Sequence, residues 1–137
     1  MPIGQKWTNK GQEFAIDQLD DNFATASPTY FGHWGNNATT PAVTDTTLLG
    51  PNDEDRTAIP AGSQTQPATD TIRFVYTIIA TGSRTVQETG IFSTAGTGTP
   101  KTGGDLYIRI VHGSLALESG DQVTYTVNLR LKDDSEA

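Results

Sequence analysis

Between residues 122 and 131 the chain alternates without a break: Val123, Tyr125, Val127, Leu129 and Leu131 stand between Thr124, Thr126, Asn128 and Arg130. Successive side chains of a strand point to opposite faces, so a period of two predicts a strand with one buried face. The polar turn signal Glu118, Ser119, Gly120, Asp121 precedes it, and an apolar run over 106–117 precedes the turn. These two segments are expected to form an antiparallel pair. Over 72–79, Ile72, Phe74, Tyr76 and Ile78 alternate with Arg73, Val75, Thr77 and Ile79. Both sets are partly apolar, which predicts a central strand covered on both sides. Residues 86–93 read as its hairpin partner, where Gly90 marks a bulge or a close backbone approach. Tyr30, Gly32 and Trp34 share one face of a further strand over 30–34, and a short edge strand over 56–59 stops at Pro60.

The remaining segments carry weaker periods. Residues 1–8 have none, and with Pro2, Gly4 and a lone Trp7 they read as an extended arm. Asn9 with Gln12 has capping-box spacing, and Ile16, Leu19 and Phe23 then recur at helical intervals, which predicts a short helix ending near Phe23. Ser27-Pro28 prevents its continuation. Residues 36–49, 61–70 and 95–104 read as loops, and 50–55 as a tight acidic turn. The expected fold is mainly β: an antiparallel sandwich or barrel of about six or seven strands with a short N-terminal helix and an extended arm. Its parts are an arm over 1–9, a single β-rich domain over 10–132 and a charged tail over 133–137.

Composition narrows the partners more than the fold. A length of 137 residues suits one core. The net charge is −7, with acid concentrated at 17–21, 53–55 and 133–136, while the 9 Lys and Arg are scattered singly. Nucleic acid is therefore not an expected partner, because phosphate recognition needs clustered cations. The acidic excess instead favours solubility and repulsion between free monomers. No cysteine is present, so stability must come from packing. No apolar run reaches membrane-spanning length and no signal pattern opens the chain, so no membrane partner is expected and folding is expected in a cytoplasm.

Candidate chemistry is sparse. His33 and His112 are the two histidines, and neither stands at a spacing that builds a catalytic group or a metal site. Asn52, Asp53, Glu54 and Asp55 offer hard oxygen ligands but lack the ordered spacing of a calcium loop. Gly96-Thr97-Gly98 has no lysine after it to cradle phosphate. No catalytic residue, cofactor or metal is expected, and the protein reads as a non-enzyme. Trp7, Tyr30, Phe31 and Trp34 could stack on sugars in a carbohydrate-binding adhesive β module, although core packing accounts for most of them.

The order of parts resembles that of small virion proteins of tailed bacteriophages. The resemblance rests on the opening amphipathic helix, the aromatic and glycine run Tyr30-Phe31-Gly32-His33-Trp34-Gly35, and the threonine-rich loop from Thr39 to Thr46. Arg56, the segment Val86-Gln87-Glu88-Thr89-Gly90-Ile91-Phe92 and the Ser119-Gly120-Asp121 turn complete it. It implies a structural protein present in many copies on the virion and assembled in the host cytoplasm. Two places fit: a capsid decoration or cement protein, or a tail, baseplate or fibre component. The short chain without heptads or fibrous repeats favours the first. The implied partners are the major capsid protein or other virion proteins, with self-association into a homo-oligomer, by preference a trimer. Contacts are expected from the arm, through Ile3, Lys6 and Trp7, and from Trp34, Asn36, Asn37, Asp53, Glu54 and Asp55 in and beside the long loop.

Overall fold

The structure, a computed structural model, describes residues 5–10, 29–68 and 71–130, with the side chains of residues 5–7 and 61 excluded. Eight strands lie within these residues: β1 (Gln5–Trp7), β2 (Tyr30–Gly35), β3 (Thr57–Ile59), β4 (Gln64–Ala68), β5 (Thr71–Ile79), β6 (Arg84–Phe92), β7 (Leu106–Leu117) and β8 (Gln122–Arg130). A single 3-10 turn, Ala61–Ser63, separates β3 from β4. Every strand pairing is antiparallel, and two separate sheets result, ordered β1-β7-β6-β2-β3 and β4-β5-β8. The protein is thus a mainly β, sandwich-like structure. The predicted helix lies almost wholly in residues 11–28, outside the described residues, as does the charged tail.

One core fills the space between the sheets. From the five-stranded sheet come Tyr30, Trp34, Ile59, Val86, Ile91 and Ile108; from the three-stranded sheet come Phe74, Tyr76, Ile78, Val127 and Leu129. In β5 and β8 their spacing of two is the alternation visible in the sequence, whereas in β6 Val86 and Ile91 are five apart because a register shift between Val86 and Glu88 breaks the period. Tyr30 and Phe74 meet edge to face across the sheets, with ring centroids 5.4 Å apart. Tyr76 reaches over from β5 and lies on Gly32 of β2, where any Cβ would come within 2.3 Å of the ring. Its hydroxyl is 2.8 Å from Thr89 Oγ1, which donates in turn to the His33 carbonyl at 2.7 Å. A hydroxyl has one proton to give, so Tyr76 donates to Thr89 and the phenol is satisfied inside the core.

Three expectations about pairing are corrected. The segments 106–117 and 122–131 do not form a hairpin: β7 pairs with β1 and β6, and β8 pairs with β5 in the other sheet. Likewise β6 pairs with β2 and β7 and not with β5. Both turns carry the chain from one sheet to the other, and they are tied together where Ala80 N donates to the Asp121 carbonyl and Gly120 N to the Ala80 carbonyl, each at 2.8 Å. Alternation states which face a strand buries, but a face buried across the core is the same whether the next strand lies beside it or opposite it. Thirdly, β5 is central in its sheet, but only the face of Phe74, Tyr76 and Ile78 is buried; the other is half-buried at Arg73, Val75 and Thr77 and ends on Ile79, 54% exposed.

Two short strands lay in stretches read as irregular. β4 sits in the predicted loop over 61–70, where Pro67 suits its place at a sheet edge. The arm's Gln5–Trp7 is strand β1, paired with Ile110, Arg109 and Ile108 of the same chain. β1 has three residues, too few to show a period, and the five of β4 include no large apolar side chain, so neither strand could be read from alternation.

Gly32→Ala is expected to cost about 1–3 kcal/mol, because the new methyl must displace the Tyr76 ring. Gly113→Ala in β7, with nothing within 4 Å of its added Cβ, is the matched control and should leave stability nearly unchanged. Urea unfolding of both variants checks this, and equal midpoints would remove Tyr76 packing as the reason for a glycine at 32.

Candidate functional site

The face of the five-stranded sheet turned away from the core has a mixed character. The register places Phe31 opposite Phe92, His33 opposite Gly90 and Gly90 opposite Arg109, with Glu88 opposite Gly35. Such a face would be unstable if left to water, and the long connection from β2 to β3 is laid over it. Leu48 from that connection is 3% exposed and packs with Phe92 and Leu106, with Phe31 against them. Gly90 makes this possible: a Cβ there would lie 2.9 Å from Leu48 Cδ2 and 2.8 Å from Leu106 Cδ1.

Beneath the loop lies a fully buried ion pair. Arg109 Nε donates to Glu88 Oε2 at 2.7 Å, and both side chains are 0% exposed. Glu88 also accepts the backbone amides of Leu49, at 3.2 Å, and Gly50, at 2.7 Å. Arg109 Nη1 donates to the Thr39 carbonyl at 2.9 Å and to Asp45 Oδ2 at 3.3 Å. Each charge thus binds the other and the loop above it. Desolvating two ions is costly and is offset only when their remaining donors and acceptors are met, which the loop backbone does here.

A second anchor holds the end of the loop. Glu54 accepts the Trp34 indole N–H at Oε2, 2.9 Å, and at Oε1 it accepts Thr81 N and Oγ1, both at 3.0 Å, and Arg84 Nε at 2.9 Å. Burial pushes its carboxyl up, but the donors led by the Trp34 indole outweigh this and hold it at about 2. His33 lies alongside, 0% exposed, with Nε2 2.9 Å from the Glu54 carbonyl oxygen. Burial lowers its pKa, against the raising effect of the Glu54 main chain, so at neutral pH the ring is uncharged and donates from Nε2.

Arg56 is the third anchor. Its guanidinium carbon stands 3.6 Å above the Phe92 ring centre, and Nη1 donates to the carbonyls of Thr94, at 2.9 Å, and Gly103, at 2.8 Å. This ties the glycine- and threonine-rich connection between β6 and β7 to the same face. Between the two connections is a cleft of about 260 Å³, lined in part by Leu48, Arg56, Phe92 and Lys101.

The residues expected to make contacts are distributed unevenly over this arrangement. Ile3 lies outside the described residues. Lys6 and Trp7 are in β1, where their backbone pairs with β7. Trp34 is 0% exposed and Glu54 is 4% exposed; both are internal, which corrects their place among surface contacts. The physical reason is that the indole N–H and the carboxylate satisfy one another inside the fold. Asn36 and Asn37 are engaged within the fold: Asn36 Oδ1 accepts Gln87 Nε2 at 2.6 Å, and Asn37 Oδ1 accepts Thr39 N at 2.9 Å and Arg109 Nη2 at 3.5 Å. Asp53 and Asp55 do face solvent, with side chains 60% and 85% exposed. The acidic turn therefore alternates, with 53 and 55 outward and Glu54 inward, so its carboxylates do not converge as cation ligands would.

Sequence reasoning missed Glu88 and Arg109. Arg109 sits on the face of its strand that alternation assigns to water, and Glu88, level with Val86 by a period of two, is turned to the outer face by the register shift between them. The available signal was the loop itself, since Leu48 and Leu49 within a long polar connection require an apolar surface to cover. Compared with known proteins, the chain matches no family model, no curated protein and no solved structure. The likeness to virion proteins thus rests on the sequence pattern alone.

Arg109→Met leaves the Glu88 carboxylate buried without its partner and is expected to cost about 3–5 kcal/mol. The amides of Leu49 and Gly50 should lose hydrogen-exchange protection before the strands do. Adding Glu88→Leu to that variant should restore part of the loss; a single variant as stable as the parent would show that the pair does not hold the loop. For Glu54 the sign follows from its depressed pKa. Its contribution is complete above the unfolded value near 4.5 and disappears as pH falls towards about 2, amounting to about 3 kcal/mol. Urea unfolding between these pH values should lose less stability in Glu54→Gln than in the parent, and parallel curves would rule the carboxylate out as an acid-sensitive anchor.

Proposed function

We infer that the chain is a non-enzymatic structural protein of a tailed-bacteriophage virion, acting as a capsid decoration protein that stabilises the head lattice. The observation that carries this reading is the clamped loop. A 21-residue connection spanning 36–56 is held against the sheet by two buried carboxylates and two buried arginines. Its outward side chains include Val43, 42% exposed, and Leu49, 45% exposed, beside Asp53 and Asp55. A loop fixed in this way presents apolar and acidic groups at little further entropic cost on binding, which suits repeated weak contacts on a lattice.

The pattern behind the phage resemblance supports the reading in a second way. Gly32, Glu88, Gly90 and Arg56 belong to it, and in this fold they are the positions that seat Tyr76, clamp the loop, admit Leu48 and tie down the β6–β7 connection. The arm is a weaker candidate for a clamp on a neighbour, since the backbone of Gln5–Trp7 is already paired within the chain. The loop is the better one.

Retention on particles is the test. Purified chain added to tailed-phage heads that lack it should co-sediment saturably, in many copies per particle. Val43→Asp with Leu49→Asp should reduce that binding by about tenfold or more, since apolar contacts of this size are worth about 1.5–3 kcal/mol each when buried, while leaving the unfolding midpoint in place. A folded chain that sediments with neither heads nor tails would end the virion reading, and binding confined to tails would transfer it to the tail or baseplate.

A further inference from the structure

Arg56 is a cation that the fold buries without supplying an anion. It is 8% exposed, and unlike Arg84, Lys101 and Arg109 it has no carboxylate within ion-pair range among the described residues. Burial lowers its pKa to about 10, which leaves it charged at neutral pH. Of its three nitrogens, Nη1 is committed to the Thr94 and Gly103 carbonyls. The buried Nε makes no hydrogen bond, and Nη2 makes none either. Nε is enclosed by the fold, so Nη2 is the donor left to an acceptor from outside.

The surroundings of that donor are built for the same chemistry. Arg56 lines the 260 Å³ cleft together with Lys101 and with Thr47 and Thr102, while Leu48 and Phe92 give it apolar walls. Lys101 Nζ is 3.1 Å from Asp55 Oδ1, and that carboxylate is largely in water, so the lysine holds positive charge at the rim without a buried partner. The volume is below the roughly 300–1,000 Å³ of clefts that take drug-sized ligands, which limits an occupant to a compact acid or a single side chain.

We propose that this cleft is a carboxylate-binding site, with Arg56 Nη2 and Lys101 Nζ as its two cationic donors and Thr47 as a hydroxyl donor. Leu48 and Phe92 pack against the carbon skeleton of the acid. The carboxylate comes either from a free small organic acid or from an acidic side chain of another protein; the two cations read both alike. The assignment is independent of the virion reading and stands or falls without it.

The full chain, isotope-labelled, is titrated with acetate, with succinate and with the blocked peptide acetyl-Gly-Glu-Gly-amide, following the Arg56 Nε–H signal and the amides of Lys101 and Thr102. Sodium chloride at matched ionic strength and inorganic phosphate are the comparison titrants. Carboxylates should give saturable shifts at these signals. Arg56→Lys, which keeps the charge and loses Nη2, should weaken them by about tenfold or more. Lys101→Ala, at the rim, should weaken them while the fold persists; if Arg56→Lys unfolds, this variant and the parent's Nε–H signal still decide. Tighter saturation by acetate or succinate identifies a free acid as the source, and tighter saturation by the peptide identifies a side chain. The proposal is overturned by no saturable shift from any carboxylate, by an equal response to chloride, by phosphate binding more tightly than every carboxylate, or by a response that Lys101→Ala leaves unaltered.

Discussion

The ion pair between Glu88 and Arg109 is the constraint on which the outer half of this protein depends. Two opposite charges, both fully buried, are placed on neighbouring strands where the sheet would otherwise face water. Neither could remain there alone, because the desolvation cost of an ion is recovered only when all of its bonding capacity is met. The loop backbone meets it, through the amides of Leu49 and Gly50 on one side and the Thr39 carbonyl on the other. The loop is therefore part of the fold, although it has almost no regular structure of its own. Its path in turn positions Leu48, Glu54 and Arg56.

Trp34 and Glu54 join this outer layer to the sandwich core. The indole ring packs with the core residues between the sheets, and its N–H is given to a carboxylate that arrives from the end of the loop. The same carboxylate accepts Thr81 and Arg84, which stand where the chain passes from β5 to β6 and so from one sheet to the other. A single side chain thus fastens three parts of the molecule. Loss of any one donor would be felt in all three, a coupling expected of buried polar networks that are fully satisfied. Among the described residues, Arg56 is the buried charge that lacks a carboxylate partner, which is why it points to a ligand while the other buried charges read as architecture.

Much of the sandwich could be read from residue patterns. The alternation Val123, Tyr125, Val127, Leu129 and the alternation Phe74, Tyr76, Ile78 name the inner faces of β8 and β5, and the structure puts these residues in the core or packed against it. Gly90 was marked as a close approach, and Leu48 and Leu106 are the atoms that come close. The candidate site was far less legible. Trp34 and Glu54 looked like surface contacts because an aromatic beside a loop and an acid within an acidic turn have no local signature of burial. Glu88 and Arg109 looked like solvent-facing strand residues for the complementary reason. Their burial is caused by a segment some forty to seventy residues away in sequence, a relation that no local period encodes.

The sequence by itself determined that this chain is mainly β, where most strands run, which face of each is apolar, and that the stretch between β2 and β3 is a long irregular connection. These follow from the geometry of extended chains and from turn residues, both of which act over a few positions. Only the tertiary structure decided which strands are neighbours, that the 118–121 turn joins two sheets and closes no hairpin, and that the loop covers a charged face. Pairing and burial of that kind are set by the mutual compensation of groups distant along the chain. Charge and shape complementarity across the loop and the sheet, seen only when both are in place, turn Glu88 and Arg109 inward and leave Arg56 beside a cleft without a carboxylate partner among the described residues.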